Sequence, residues 1–261
     1  MHSKLVEISP EIRDKAEELV REKTHGAQPD IHAEDFIFQF VVTHPGMTSI
    51  HEKVTYYFTD GQRSAHQLAD LCQELGYGSR KKLRLLEFAS GYGCVTRHLP
   101  AALPKAKIVS SDIHTEAMDF IRGTLGGQVT PSHSVPEEFS VKGRFDVVFS
   151  LSFFSHMPIN SWARWLRAHY NVLEVGGYLV FTTQGMMSRP HFNNPEIPED
   201  GFWFIPDSEQ KDLDTAEYGQ TIVTEDWVRQ QITDLPHVSI ERFSEGAWWG
   251  HQDLYVVQRT A

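Results

Sequence analysis

The hydrophobic rhythm of the chain changes near residue 82. Before it, apolar positions recur at helical spacing: from Ser9, with Pro10 at the first helical position, Ile12, Ala16, Leu19 and Val20 fall on one face. A less regular aromatic stretch follows, "DIHAEDFIFQFVVTHPGMTSIHEKVTYYFTDGQ". The next helix is expected to begin near Ser64 and to stop before Gly76, turning Leu68, Leu71, Cys72 and Leu75 inward.

From Lys82 onward, short apolar runs alternate with amphipathic ones. "LRLLEF" (Leu83 to Phe88), "KIVSSD" (Lys107 to Asp112), a weak run near Gln128 to Thr130, "FDVVFS" (Phe145 to Ser150) and "YLVFTT" (Tyr178 to Thr183) read as strands. Between them "VTRHLPAAL", "TEAMDFIRGTL" and "NSWARWLRAHYNVL" read as helices, the last capped by Asn160 and stopped by Gly176 and Gly177. This alternation predicts an α/β fold with a mostly parallel, doubly wound sheet. The end differs. After a helix over "TEDWVRQQI", the strands "VSIERF" and "DLYVVQR" are joined only by "SEGAWWGHQ", too short for a crossover helix, so they form an antiparallel hairpin. The expected organisation is an N-terminal helical extension or cap over 1–81 packed on a catalytic domain over 82–261. That domain carries an insertion over 185–224.

Composition narrows the function more than the fold. With 40% apolar and 23% charged residues the chain is ordinary for a globular protein, and a net charge of −11 opposes attraction to phosphate backbones. Its one short basic cluster, "SRKKLR" (Ser79 to Arg84), is expected to flank a strand, so no nucleic-acid partner is expected. The charged start lacks a secretory signal pattern, no apolar run is long enough for a bilayer, and two cysteines make no disulfide framework; together they point to the cytoplasm. Fourteen histidines raise the question of a metal, but no spacing suits one. Oligomeric state is not legible.

The chemistry gathers in "LLEFASGYGCVTRHL", where Glu87, Ala89, Ser90, Gly91 and Gly93 follow the first strand. Ligands of open parallel sheets bind beyond the carboxyl ends of the strands, after such turns. A nicotinamide turn wants G-x-G-x-x-G, yet Thr96 stands at the third glycine, and Glu87 would repel a pyrophosphate while suiting an ammonium.

The segment "EFASGYG" is similar to the acid-x-G-x-G-x-G motif of the class I S-adenosylmethionine-dependent methyltransferases, with Ala89 at the first glycine position. That resemblance extends through "IVSSDIHTEAM", "FDVVFSLSFFSHM" and "VLEVGGYLVFTT", over roughly residues 82 to 184. It implies a Rossmann-like fold with S-adenosylmethionine as cofactor, its methionine part on the turn and its amino group near Glu87. Asp112 would accept bonds from the ribose hydroxyls, Ile113 would pack on adenine, and Ser150 is counted among the cofactor contacts. The loop after the third strand matches the family poorly; Ser132, His133 and Ser134 are its candidates for hydrogen bonds to the base.

His156, after the fourth strand, is the expected general base, with His251 the second candidate. The insertion, with four prolines and the aromatics Phe202, Trp203 and Phe204, is expected to be a substrate lid. His191, Asn193, Trp203, Asp214, Tyr218 and, in the terminal hairpin, Trp249 are the candidate acceptor contacts. Trp248 is a further candidate for closing the pocket, and Tyr56 to Gln62 for lying over the cofactor. The acceptor is expected to be a small neutral or cationic molecule, a sugar or sugar-containing metabolite among the candidates, with O-methyl transfer favoured. Two alternatives stand beside this reading, a nicotinamide-dependent oxidoreductase and a non-catalytic methyltransferase-like binding protein.

Overall fold

A computed structural model of the protein describes residues 5–24, 26–77, 82–208, 210 and 212–261. Ser79, Arg80 and Lys81 of the basic cluster "SRKKLR" lie outside this set. The chain forms two compact units, Met1–Pro131 and Ser132–Ala261.

The first unit opens with three helices: α1 (Pro10–Glu22), α2 (Phe36–Thr43) and α3 (Ile50–Glu74). Ser9 caps α1, accepting from the Ile12 amide, and Ile12, Ala16 and Leu19 are buried as the spacing predicts. The expectation that the second helix begins near Ser64 is corrected, because α3 starts fourteen residues earlier. The cause is a capping box: Ser49 accepts from the Glu52 amide while Glu52 accepts from the Ser49 amide. Gly61 sits inside α3, where a Cβ would lie 2.2 Å from the Cys94 carbonyl oxygen. Helix α3 packs on both α1 and α2, and its Val54, Tyr57 and Phe58 join Ile12, Leu19, Phe38 and Val41 in one core.

The sheet of this unit has the order β3-β2-β1, all parallel: β1 (Arg84–Phe88), β2 (Lys107–Asp112) and β3 (Gln128–Pro131). Between β1 and β2 the chain makes a 3-10 turn (Thr96–His98) and the single-turn α4 (Leu99–Ala102) with Pro100 early in it. Between β2 and β3 runs α5 (Thr115–Phe120), which widens into a π turn over Ile121–Leu125.

In the second unit β4 (Phe145–Ser150) and β5 (Leu173–Gln184) are parallel and joined by α6 (Ile159–Asn171). Trp162, Trp165, Leu166, His169 and Tyr170 make its buried stripe. Two expectations are corrected here. Pro158, not Asn160, is the cap residue, and Asn160 lies within the first turn. Gly176 and Gly177 do not end the helix; they fall inside β5, where the pairing with β4 shifts register between Phe145 and Val147. Beyond β5 come a 3-10 stretch (Met186–Phe192) and a two-stranded antiparallel sheet, β6 (Phe202–Ile205) with β7 (Gln220–Val223). Helix α7 (Glu225–Thr233), capped by Thr224, leads into β8 (Val238–Trp248) and β9 (Gln252–Arg259). These two form the expected antiparallel hairpin, and the strand order is β4-β5-β9-β8. No described helix is long and apolar enough to cross a membrane.

Candidate functional site

In the first unit the chain leaves β1 through a turn that no extended backbone continues. Ala89 (φ 57°), Gly91 (φ 52°) and Gly93 (φ 84°) are all left-handed. Alanine tolerates that conformation poorly, so Ala89 stores strain at the start of the turn. The two glycines differ in what surrounds them. A Cβ on Gly93 would lie 2.5 Å from Leu125, so this glycine is needed for packing against the end of the α5 region. A Cβ on Gly91 would meet nothing within 4 Å, so its bare face is open.

The turn is tied to the end of β2. Ser90 donates from its amide to the Ser111 carbonyl (3.1 Å), and Gly91 donates from its amide to Asp112 Oδ2 (2.8 Å). Asp112 Oδ1 accepts from the His114 amide (3.0 Å) and lies 2.7 Å from His114 Nδ1. The carboxylate is thereby held in one orientation at the mouth of the turn. Ile113 beside it is 43% exposed, an apolar side chain with an uncovered face.

Glu87 is buried at the end of β1, where Thr96 (2.7 Å) and Ser110 (2.9 Å) donate to its Oε2. Burial pushes its pKa up to about 7; the two hydroxyls oppose that rise and the Asp112 charge adds to it. A carboxyl so poised is costly without a cation and gains one more readily than a surface acid would. A ligand with an ammonium group supplies what Glu87 lacks. The fit to S-adenosylmethionine rests on three features: a buried acid, an open glycine face and an oriented aspartate.

Sequence reasoning missed the residues that hold this turn from behind. Arg97, buried, donates from Nε to the Gly93 carbonyl (3.1 Å) and from Nη1 to the carbonyls of Gln28 (2.9 Å) and Asp30 (2.7 Å). Its Nη2 donates to Tyr57 Oη (3.1 Å), and Tyr57 donates to Asp35 Oδ2 (2.5 Å). Tyr57 and Phe58 lie in the stretch expected over the cofactor, and both rings face the Arg97 guanidinium. His32 stacks on Tyr92 of the turn with ring centroids 4.5 Å apart. No spacing pattern in the sequence announces the bonds of Arg97 to Gln28, Asp30 and Tyr57, which reach across 40 to 69 residues.

The second unit gathers another set. Ser150 is fully buried, and its hydroxyl has no hydrogen-bond partner among the described residues. After β4, Ser152 (φ 57°) donates from its amide to Thr182 Oγ1 (2.8 Å), Thr182 donates to Gln252 Oε1 (2.7 Å), and Gln252 Nε2 donates to Ser152 Oγ (2.8 Å). This closed ring of bonds, buried between Thr182 and Gln252 and part-buried at Ser152, fixes the loop that carries His156. The His156 ring lies flat on Tyr218, centroids 4.4 Å apart, with Nδ1 2.8 Å from the Gly219 carbonyl. A carbonyl only accepts, so Nδ1 carries the proton and Nε2 of the neutral ring is the basic nitrogen.

His251 belongs to a separate group. His191 packs on its ring at 4.6 Å and Trp249 stacks at 6.3 Å. Ser188 donates to the His251 carbonyl (2.7 Å) and lies 3.2 Å from Nδ1. Burial first, and then the neighbouring His191, lower the His251 pKa. Trp203 packs against Phe192, Trp248 is buried against Phe149, Asn193 ends the 3-10 stretch in a left-handed conformation, and Asp214 caps its own turn by accepting from the Ala216 amide. Thus Tyr218 joins His156, His191 and Trp249 join His251, and Trp203, Asn193 and Asp214 take up other places on the insertion. His133, a candidate for the base, accepts from the Val135 amide and pairs with Glu138. Among the described residues no group of His, Cys, Asp and Glu could hold a metal.

Residues 86–179 match the family model described as a methyltransferase domain. The chain is 26% identical over 120 residues to malonyl-[acyl-carrier protein] O-methyltransferase 1 of Ilyobacter polytropus, a match over 45% of this chain and 44% of that protein. It therefore spans less than half the length of that curated relative. Among solved structures it is similar to an amino pentose methyltransferase from Micromonospora echinaspora, at 16% identity and a TM-score of 0.54, over 83% of this chain and 100% of the other. A S-adenosylmethionine-dependent methyltransferase from Clostridium acetobutylicum is similar at 13% identity and a TM-score of 0.54, over 78% and 92%. The fold is the one these methyltransferase structures share: an α/β, Rossmann-like, mostly parallel sheet finished by an antiparallel hairpin. The match to a methyltransferase domain falls on residues 86–179, which include the glycine turn and β2 to β4.

Proposed function

We propose that the protein transfers a methyl group from S-adenosylmethionine to a small-molecule acceptor, with a hydroxyl as the favoured target. The observation that carries this reading is the Glu87–Gly91–Asp112 arrangement, in which an acid, an open backbone face and an oriented carboxylate suit ammonium, methionyl chain and ribose in turn. When bound, the cofactor supplies a methyl group on a positively charged sulfur, so the electrophile arrives already activated. Glu87 holds the ammonium, Asp112 the ribose hydroxyls, and Ile113 offers its exposed face to the adenine.

His156 is the group that takes the proton from an acceptor hydroxyl, through Nε2, with the Gly219 carbonyl fixing its tautomer. Residues 185–224 act as a lid, with Tyr218 stacked on the base and Trp203 among the acceptor contacts. Residues 1–81 act as a cap. The relatives methylate a malonyl-[acyl-carrier protein] and an amino pentose, and the second supports a sugar-containing acceptor here. Nothing in the comparisons supports the nicotinamide alternative.

Thermal unfolding with S-adenosylmethionine, S-adenosylhomocysteine and NADH in parallel tests the cofactor. A ligand confined to the folded state stabilises by about 2.7 kcal/mol at a hundredfold excess over its Kd. The expected result is a raised midpoint with both adenosyl compounds and none with NADH. A shift with NADH alone would reverse the assignment.

A further inference from the structure

Arg97 is 3% exposed, and its guanidinium makes no direct ion pair among the described residues. Its nearest compensation is indirect, through Tyr57 Oη to the buried Asp35 carboxylate. Taking a guanidinium out of water is costly, and an apolar side chain of similar size would serve packing at least as well. What an apolar side chain cannot do is donate to several carbonyls at once from one rigid plane.

Four guanidinium bonds reach three parts of the chain. Nε donates to the Gly93 carbonyl in the turn, which also accepts from the Arg97 amide (3.2 Å). Nη1 bridges the carbonyls of Gln28 and Asp30, in the segment between α1 and α2. Nη2 reaches Tyr57 of α3. The same short stretch carries Thr96, whose hydroxyl donates to Glu87. Two adjacent residues therefore hold the ammonium-binding acid on one side and the N-terminal segment on the other. Gln28 to Asp35 is further joined to the turn by the stack of His32 on Tyr92.

We infer that Arg97 is a positioning residue that couples cofactor binding to docking of residues 28–35. On this inference, which rests on the cofactor reading above, a ligand that fixes the turn at Glu87 and Gly91 fixes the Gly93 carbonyl, and with it the Arg97 fork and the carbonyls of Gln28 and Asp30. Coupling of this kind is reciprocal: a docked segment raises cofactor affinity by the factor that the cofactor favours docking.

The test uses the full chain with S-adenosylhomocysteine, reading Kd by calorimetry and amide hydrogen exchange with and without ligand. In the unsubstituted protein the ligand is expected to slow exchange at least tenfold over residues 28–36 as well as in the turn. Arg97→Lys keeps the charge and loses the planar fork; it is expected to weaken binding at least tenfold and to abolish ligand-dependent protection of 28–36. Tyr57→Phe, a milder change that keeps the ring in the core, guards against a misfolded Arg97 variant and is expected to weaken binding about threefold with partial loss of that protection. Ser9→Ala removes the cap of α1, a bond to the Ile12 amide that does not touch the turn, and is expected to leave Kd unchanged. A purely structural Arg97 would alter the midpoint without making protection of 28–36 depend on ligand. Protection confined to the turn in the unsubstituted protein, or unchanged Kd in both Arg97→Lys and Tyr57→Phe, would overturn the coupling alone. Absence of any binding by the unsubstituted protein would overturn the cofactor reading and the coupling together.

Discussion

Around the glycine turn, Glu87, Gly91, Thr96, Ser110 and Asp112 are joined to one another across at most 23 residues of chain. Around the two histidine groups the ties are long: His156 to Gly219 and Ser188 to His251 each span 63 residues, and Gln252 to Ser152 spans 100. The first is a strand–turn–helix–strand unit whose ligand groups sit at fixed offsets. The second is assembled from a loop, an insertion and a terminal hairpin that only the finished sheet brings together. On the proposed function the first region holds the cofactor and the second meets the acceptor. The two regions should therefore fail in different ways when substituted.

The sharpest contrast lies between rate and binding. His156→Asn, assayed with a hydroxyl acceptor that the protein methylates, is expected to lower kcat about 100- to 10,000-fold, as loss of a general base does. Its Kd for S-adenosylhomocysteine should stay within about twofold. An unchanged kcat would remove His156 from the chemistry and leave it as a support for Tyr218.

Asp112→Ala should act in the opposite sense, weakening S-adenosylhomocysteine about 100-fold, roughly 2.7 kcal/mol, with little change in the unfolding midpoint without ligand. The two glycines separate packing from binding within the same turn. Gly93→Ala is expected to destabilise the free protein by about 1–3 kcal/mol, because its Cβ would overlap Leu125 in a left-handed backbone. Gly91→Ala meets no such neighbour and should cost only about 1 kcal/mol of stability, yet lose most ligand binding because the new methyl fills the open face. Equal effects of both on stability would refute the open-face assignment.

Glu87 yields a pH test with two signs. Its folded pKa of about 7 lies above the ordinary 4.5, so its contribution to stability is full below pH 4.5 and is lost as pH rises through about 7. Glu87→Gln should therefore raise the midpoint of the free protein at pH 8, by an amount equivalent to at most about 3 kcal/mol. Ligand affinity runs the other way, since the ammonium needs the carboxylate: Kd should rise toward tenfold per pH unit below about 7, and Glu87→Gln should flatten that profile. A profile still steep in the variant would mean that another group titrates.

The smallest expected effect falls far from either cluster. Ser49→Ala breaks the capping box of α3 and should cost about 1 kcal/mol of stability by denaturant unfolding, with Kd for S-adenosylhomocysteine unaltered. A weakened Kd would show that the first turns of α3 bear on the cofactor turn more than the Arg97 contacts alone require.

Legibility followed the range of the interactions. Strands β2 and β4 are read from the sequence to the residue, because a run of apolar side chains bounded by turn residues states its own limits. The start of α3 was missed for a local reason that the sequence contains, since Ser49 and Glu52 stand at capping-box spacing within an aromatic stretch that masks the helical period. Gly176 and Gly177 were misjudged for a reason it does not contain: whether a glycine pair ends a helix or forms a bulge depends on the partner strand.

By itself the sequence determined the alternation of strands and helices, the antiparallel ending and the acid–glycine–acid spacing of the turn, because each depends on side-chain period, connection length or a fixed offset. The tertiary structure decided that Gly91 is open while Gly93 is packed, that Gly219 sets the tautomer of His156, and that a buried arginine joins the turn to residues 28–30. Those outcomes depend on which carbonyls and side chains meet across 32 to 69 residues, and a contact of that range leaves no periodic trace along the chain.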